Sequence, residues 1–480
     1  MRFLELLLLL LGVLLPFYIS SKKANINHIL LLIVVLLILI GHAILEGIRW
    51  QMSPIYLVHF VILVCLIKRY FFFKGGWFRQ ISSGLTLFLM LGLGFVFSKF
   101  LPVFELPNLT GKYSVGSQYL HYISKNEEYI SVDKFDKREL MIKAWYPAKI
   151  TGEPKEPYLD KGERVGFAAK YGLPKNTFNY LDQIKTNTFQ NPAVAAGTFP
   201  VLIFTHGYYS NATGYYALIE EIVSNGFIVL NINHTYESVG ALFPSGKIKL
   251  YDKAYDSKHN NEAMAKMVWE AMEDFKKANS MEEKRKAIDY VLKNYYASEI
   301  TNRWEQDINE IVNQIPVWNN SSFLANHINT SKIGVFGHSQ GGAAAGQALL
   351  NNAKIVVGIN IDGVQWGNMV DTFQSKPFLL LSSDWPAEHP DFNEVAFRNG
   401  SADFYVSKIK NTGHSSFMDI PFMIDLPIIN EAGDIEPKKA IEITANLIVA
   451  FFNKYLNNQE VDLLKLANEH PALVVKNESK

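Results

Sequence analysis

The sequence predicts an α/β protein: a doubly wound, mostly parallel sheet with a helical insertion, preceded by about four transmembrane helices. Three observations carry this expectation. Residues 1 to about 105 are dominated by Leu, Ile, Val and Phe, whereas the remainder is an ordinary soluble mixture. Beyond residue 198, short apolar strand-like runs alternate with helical patterns, which implies parallel strands joined by crossover helices. Between two such runs, Lys332 to Phe336 and Gly342 to Ala348, lies the pentapeptide Gly337-His338-Ser339-Gln340-Gly341.

The apolar region divides into four runs: Phe3 to Ile19, Ile29 to Leu45, Ile55 to Ile67 extended by Tyr70 to Phe73, and Leu85 to Phe104. A membrane crossing needs about 20 mostly apolar residues, so runs one, two and four fit directly. Run three is interrupted by Lys68 and Arg69, long side chains that can snorkel to an interface. Arg2 followed by leucines resembles a signal peptide. No small-x-small cleavage site precedes Ser20, however, so a retained span is expected. Lys22 and Lys23 in the first loop, and Lys68, Arg69, Lys74 and Arg79 in the third, outweigh Arg49 in the second. The positive-inside rule then makes loops one and three cytoplasmic and places everything after Phe104 outside. The same placement follows if the first run is cleaved. The expectation is therefore a multi-pass cell-membrane protein, with a membrane domain over 1–105 and an extracytoplasmic catalytic domain over 106–480.

Net charge is zero and only 19% of residues are charged, which argues against a nucleic-acid partner. The single cysteine, Cys65, lies in the third run, so no intramolecular disulfide can form. N-x-S/T sequons occur, for example at Asn211, Asn233 and Asn399, and matter only in a host that glycosylates them.

In the second domain, Pro102 to Gly111 has a linker's composition. Tyr129 to Val132 and Leu140 to Tyr146, separated by the charged turn Asp133 to Lys137, predict a hairpin. Residues 150 to 198 are rich in Pro, Gly and Asn and are expected to be irregular. Strands follow at Val201 to Phe204, Phe227 to Ile232, Ile333 to Phe336, Ile355 to Ile361, Phe378 to Leu381 and Phe404 to Ile409. Helical spacing marks Tyr216 to Val223, the series Ile300, Trp304, Ile308, Ile311, Val312 and Ile315, and a last helix from about Lys438 to Tyr455. Residues 255 to 298 break the rhythm with two charged, Met-rich amphipathic helices, in which Met264, Met267, Val268, Ala271, Met272 and Phe275 share a face. They suit an insertion packed on the sheet, a lid or a membrane-surface contact.

The pentapeptide is a G-x-S-x-G motif in strand-turn-helix context. A serine hydroxyl is a weak nucleophile until it is exposed and a base takes its proton, and a sharp turn flanked by glycines exposes it. Ser339 is then the nucleophile. In this architecture the acid and the histidine follow it along the chain. Of the downstream histidines, His389 lies in the loop Pro386 to Pro390 and His470 near the tail. His414 follows the strand Phe404 to Ile409 and is the expected base. Two acids end strands: Asp362 after Ile355 to Ile361, and Asp384 after the next strand. Ligand sites of parallel sheets gather at such carboxyl ends, and placement alone leaves both open. The oxyanion donors are expected to be the N–H of Gln340 and that of Tyr208, since Gly207 permits a bent loop after Thr205-His206. His206 and His234 are expected to serve structure. No Cys cluster, H-E-x-x-H or Walker-type loop competes, so neither a metal nor a cofactor is expected.

Several segments together resemble the plasma-type (isoform II) platelet-activating-factor acetylhydrolase family. They are Thr110-Gly111-Lys112-Tyr113-Ser114-Val115-Gly116, Leu140 to Ala148 (LMIKAWYPA), Phe199 to Gly207 (FPVLIFTHG), Gly226-Phe227-Ile228-Val229, and Gly337 to Gly342. They run in order over roughly residues 110 to 425. The resemblance implies an α/β-hydrolase fold and metal-independent ester hydrolysis by Ser339, His414 and Asp362, with Tyr208 and Gln340 at the oxyanion; its spacing selects Asp362 over Asp384. The apolar N-terminal spans and the helical insertion depart from the secreted members. The function expected is a membrane-anchored serine carboxylic-ester hydrolase acting on lipid-like or short acyl esters, an sn-2 acyl phospholipid among them. The alternatives are a related serine hydrolase acting on peptides or polyesters, and a non-catalytic membrane-bound binding protein.

Overall fold

The structure is a computed structural model that describes residues 1–21, 27–133, 135–368, 375–384, 391–396 and 403–478. It divides into two compact units: Met1–Glu105 with Asn179–Ile184 and Phe422–Asn430, and Leu106–Phe178 with Lys185–Pro421 and Glu431–Lys480. His389, Asn399, Lys22 and Lys23 lie outside the described residues.

The first unit holds α1 (Phe3–Ser20), α2 (His28–Leu45), α3 (Ser53–Lys68) and α4 (Trp77–Phe100), each long and apolar enough to cross a membrane once the 3-10 turn Trp50–Met52 is counted with α3. The third run ends earlier than expected because Arg69 takes a left-handed conformation (φ 55°), so Tyr70 to Phe73 lie outside the helix. The fourth begins earlier, at Trp77, directly after the Gly75-Gly76 break. Leu8, Leu15, Ile55, Ile62, Leu87 and Leu91 pack together as a core. Outward, α2 leaves Leu30, Leu37, Ile40 and Ile44 bare. Such an apolar outer face costs free energy in water and none in hydrocarbon. Arg49 is buried and donates from Nε and Nη2 to the two carboxylate oxygens of Glu5, at 2.7 and 2.8 Å, and from Nη1 to the Leu101 carbonyl at 2.7 Å. Its charge is thus neutralised by Glu5 rather than by its neighbour Glu46.

The second unit is built on one mixed sheet. Its strands in chain order are β1 (Ser114–Glu127), β2 (Lys137–Lys149), β3 (Lys155–Pro157), β4 (Lys185–Gln190), β5 (Ala193–Val194), β6 (Phe199–Thr205), β7 (Ile228–Asn233), β8 (Gly240–Leu242), β9 (Ile248–Leu250), β10 (Ile328–His338), β11 (Ile355–Ile361), β12 (Phe378–Ser382), β13 (Phe404–Ile409) and β14 (Leu473–Asn477). Across the sheet they run β14-β13-β12-β11-β10-β6-β7-β2-β1-β4-β3, with β5 beside β2, and β8 and β9 pair separately. The stretch from β13 to β7 is parallel throughout. The inner strands β6, β11 and β12 are buried on both faces, which is why they read as apolar runs, whereas edge-ward β13 alternates buried and half-buried residues. Antiparallel β2 and β1 extend one side, and β14 closes the other.

Two expectations need correction. The partner of β2 in its hairpin is the long strand β1, not Tyr129 to Val132, which lies in the connection. Strand β1 buries little of its length, so its residues lack the apolar run that marks the central strands. Residues 150 to 198 are not irregular throughout: they contain β3, β4, β5 and the helix α5 (Lys161–Lys170).

Helix α6 (Tyr216–Ser224) follows β6. The insertion consists of three helices, α7 (Lys253–His259), α8 (Glu262–Lys277) and α9 (Met281–Asn294), and leads into the long α10 (Tyr296–Ser321). Asp252, Asn261 and Ser280 cap the three starts through side-chain oxygens, which is where the predicted two-helix pattern breaks into three. Ala271, Phe275, Ile288, Val291 and Leu292 of the insertion pack against Phe392 and Val395, with Val364 and Trp366 alongside. The insertion is therefore packed onto the loops that follow β11 and β12.

Candidate active site

Strand β10 ends at His338, and helix α11 (Gln340–Asn351) begins two residues later. Ser339 joins them at φ 57° and ψ −122°. A non-glycine residue there carries strain of about 1–3 kcal/mol, which persists only where the surroundings over-determine it. Here they do. A Cβ on Gly337 would fall on the Gly341 carbonyl, and one on Gly341 would fall on the carbonyls of Thr205 and His206. The Ser339 N–H donates to the Ile361 carbonyl at 2.8 Å, and Thr205 Oγ1 donates to the Gly341 carbonyl at 2.8 Å. The elbow is thus pinned to both neighbouring strands, and Ser339 stays half-exposed.

Asp362 follows β11 with a left-handed φ of 53°. Its buried carboxylate accepts from Ser383 N–H (2.7 Å), Ser383 Oγ (2.9 Å) and His414 Nδ1 (2.7 Å). Burial pushes this carboxyl up, but the hydrogen bond and charge of His414, with the Ser383 N–H, outweigh it and hold it below the usual carboxylate range. An ionised carboxylate only accepts, so His414 carries its proton on Nδ1 and presents the Nε2 lone pair as its basic position. His414 itself is one-third exposed.

Asp384 is placed elsewhere. It is exposed and accepts from the Asn411 N–H at 3.0 Å, bracing the loop that leads to His414. His470 is buried beside Asn446 Nδ2 at 3.3 Å, before β14. Of the acids and histidines weighed from sequence, the structure brings Asp362 and His414 together and leaves Asp384 and His470 apart.

The loop expected to supply an oxyanion donor follows β6. His206 Nδ1–H donates to the Gly207 carbonyl at 2.7 Å, while His206 Nε2 accepts from the His234 N–H at 3.2 Å. The Gly207 carbonyl and the Tyr208 N–H share one trans peptide and point opposite ways, so binding the carbonyl also fixes the N–H. The N–H groups on either side are engaged, Gly207 with the Tyr215 hydroxyl at 3.1 Å and Tyr209 with the Glu237 carbonyl at 2.9 Å. Gln340 begins α11, where first-turn N–H groups have no intrahelical partner. Its side chain is tied to the Ala297 carbonyl and Thr301 Oγ1, both at 2.8 Å. His206 and His234 are fully buried, and burial, with His234 beside it, pushes the His206 imidazole down to about 3.

Among the described residues one cluster has metal-like spacing, His338, Asp362 and His414, with ligand atoms within 4.8 Å of one another. Hydrogen bonds explain that spacing: His414 bonds Asp362, and His338 Nε2–H donates to the His414 carbonyl at 3.0 Å. Sequence reasoning missed Tyr215, Ser383 and the role of His338. Only His338 carried a signal, by standing inside the motif.

A cavity of about 180 Å³ adjoins Asp362. Val268 and Met272 of α8, Val364, Trp366 and Phe392 line it, together with Asp362 and Gly363. The Gly363 backbone lies so close to the Ser339 carbonyl that a Cβ there would overlap it. The sequons at Asn211 and Asn233 are buried and closed to glycosylation.

The likeness to known proteins falls on this same part of the chain. A ferulic acid esterase from Streptomyces cinnamoneus superposes with a TM-score of 0.61 over 78% of this chain and all of that one, at 19% identity, which shows the α/β-hydrolase fold. A platelet-activating factor acetylhydrolase from Gallus gallus is 26% identical over 356 residues, covering 68% of this chain and 77% of the relative. Its counterpart from Cavia porcellus is 23% identical over 367 residues, covering 73% and 78%. A probable 1-alkyl-2-acetylglycerophosphocholine esterase from Arthroderma benhamiae is 25% identical over 191 residues, covering 33% and 49%. The family described as platelet-activating factor acetylhydrolase, isoform II, matches residues 99–470, most of the chain, and the protein belongs to that family.

Proposed function

We propose that this esterase works as a membrane-anchored serine hydrolase with Ser339 as nucleophile, His414 as base and Asp362 as the acid that orients it. The hydrogen bond between His414 Nδ1 and Asp362 beside the strained Ser339 elbow carries the proposal. Ser339 Oγ attacks the acyl carbonyl while His414 Nε2 takes its proton. The N–H groups of Tyr208 and Gln340 hold the negative oxygen of the tetrahedral intermediate. Its collapse breaks the ester C–O bond, and His414 returns the proton to the leaving alcohol. Water, deprotonated by the same imidazole, then releases the acid and restores Ser339.

The substrate proposed is a lipid-like or short acyl ester, an sn-2 acyl phospholipid included. Relatives named for acetylated ether phospholipids support this class. The apolar cavity beside Asp362 adds support, with room for roughly six groups the size of a water molecule. The four apolar helices support a multi-pass anchor. The basic residues Lys68, Arg69, Lys74 and Arg79, at and between the facing ends of α3 and α4, support an extracytoplasmic catalytic unit.

The test is a p-nitrophenyl ester series from acetate to laurate on the detergent-solubilised full chain. Ser339→Ala is expected to lower kcat at least ~10³-fold while the fold is kept. Retained activity in that variant removes Ser339 from the mechanism, and inactivity of the wild-type chain on every ester shifts weight to peptide or polyester substrates. For the anchor, a periplasmic-type reporter fused after Lys480 is expected to be active outside the cell membrane. Activity only of a cytoplasmic reporter overturns the orientation.

A further inference from the structure

The histidine of the G-x-S-x-G motif is buried and is not the base, yet both its nitrogens are engaged. The Tyr215 hydroxyl lies 3.0 Å from His338 Nδ1, and His338 Nε2 lies 3.0 Å from the His414 carbonyl. The same hydroxyl accepts from the Gly207 N–H at 3.1 Å. Three bonds thus run without a break from the loop after β6, through α6's first turn and the nucleophile elbow, to the backbone of the base.

The chemistry of the two ends fixes the direction of the chain. A backbone N–H can only donate and a carbonyl can only accept. Gly207 therefore donates to the Tyr215 oxygen. Tyr215 has one proton, which goes to His338 Nδ1. His338 must then hold its own proton on Nε2, where it donates to the His414 carbonyl. One tautomer satisfies all four groups, and a flipped or charged His338 would break the series.

We infer that Tyr215 and His338 are a positioning pair that holds the oxyanion loop and the base loop in register across Ser339. The inference rests on the serine-hydrolase reading above. It adds that the two halves of the machinery, the Tyr208 N–H and the His414 ring, are tied by side chains that never touch substrate. Ring packing agrees with this role. The His338 ring lies 4.6 Å from that of His414 and 5.7 Å from that of Tyr215. Burial, followed by the neighbouring His414, pushes the His338 imidazole down to about 3, so it stays neutral beneath an imidazolium forming at His414.

The substitutions Tyr215→Phe, His338→Gln and their combination test the pair, in the solubilised full chain with p-nitrophenyl butyrate. Tyr215→Phe removes both hydroxyl bonds at nearly constant shape. His338→Gln can still reach the His414 carbonyl but presents no ring nitrogen at the Nδ1 position. Each single change is expected to lower kcat ~10–100-fold with KM within about twofold, since the losses arise in the transition state. The double variant is expected to fall well short of the product of the two losses. Circular dichroism and a thermal melt establish that each variant is folded, and if Tyr215→Phe is not, His338→Gln and His338→Asn carry the comparison. A kcat within twofold of wild type in either folded single variant overturns the pairing, as does a multiplicative double. The reading beneath it fails differently: the wild-type chain itself would be inert to the ester and to a fluorophosphonate, and that result removes both.

Discussion

The two flanks of Ser339 are built from different materials. On the flank proposed to hold the oxyanion, the loop after β6 and the elbow are held by backbone and by directional bonds: Gly207 to Tyr215, Tyr215 to His338, His206 to the Gly207 carbonyl. Glycines at 337 and 341 leave no space for a side chain between the layers. On the acid flank, past Asp362, the walls are apolar side chains, with α8 and α9 packed on Val364, Trp366, Phe392 and Val395. Hydrogen bonds and steric contact set positions to fractions of an ångström, as transition-state stabilisation requires. Apolar packing tolerates exchange of one side chain for another of similar volume. Under the mechanism proposed above, the chemistry falls to the first flank and the choice of substrate to the second, and substitutions on each should give different signatures.

The largest effect lies where the flanks meet. Asp362→Asn should lower kcat ~10³–10⁴-fold, because an amide can donate to Nδ1 and so stabilise the wrong tautomer of His414. Asp384→Asn is the control, an exposed acid that accepts from the Asn411 N–H and pairs with Lys408, and should stay within about twofold of wild type. Steady-state kinetics on a single ester separates them. A larger loss at Asp384 than at Asp362 would return the acid to the later strand.

A smaller effect is expected on the apolar flank, in selectivity rather than rate. Met272→Ala should deepen the cavity and raise the kcat/KM ratio of long to short p-nitrophenyl esters by ~3–30-fold, the range that one to a few methylenes in an apolar pocket can supply. Met272→Trp should move the ratio the other way. Trp269, one helical turn nearer the start of α8 and 63% exposed, is the neutral comparison. An unchanged chain-length profile in both Met272 variants would show that acyl groups bind elsewhere and that the insertion is only structural.

The same contrast explains what was legible in the sequence. Strands β6, β11 and β12 were readable because burial on both faces demands apolar residues, Ser339 because it stands in a G-x-S-x-G motif, and Asp362 and His414 because each follows the carboxyl end of a strand. The hairpin partner β1 was misplaced because an exposed strand carries no such run. The inward face of α8 was visible as a periodic stripe from Met267 to Phe275, yet nothing in that stripe shows which loops it covers. Tyr215 was invisible: it stands 123 residues before His338, and a hydrogen bond over that distance exists only once β6 and β10 are neighbours. Strand placement alone left Asp362 and Asp384 both open; the spacing of the family resemblance selected Asp362, and it is Asp362 that lies 2.7 Å from the histidine.

The smallest expected effect concerns how the base loop is held to the rest of the sheet. Asp419, five residues after His414, accepts from the Tyr216 N–H at 2.6 Å, the Ala217 N–H at 3.1 Å and the Tyr158 hydroxyl at 3.0 Å. It therefore caps α6 from a distance, and α6 carries Tyr215 at its start. Burial pushes its carboxyl up to about 6 despite these three donors. A carboxyl whose folded value exceeds its unfolded one, near 4, takes up a proton on folding. The stability it contributes is present in full below pH ~4 and is lost as the pH rises through about 6. Asp419→Asn abolishes that titration. The stability of wild type relative to the variant should thus fall by at most ~2–3 kcal/mol between pH 4 and pH 7, read as melting temperatures of the two proteins in matched buffers. A difference independent of pH would mean that Asp419 is ionised throughout, its three donors outweighing burial. The base loop would then be pinned by charge rather than by shape, which would place it with the oxyanion flank in the way it is held.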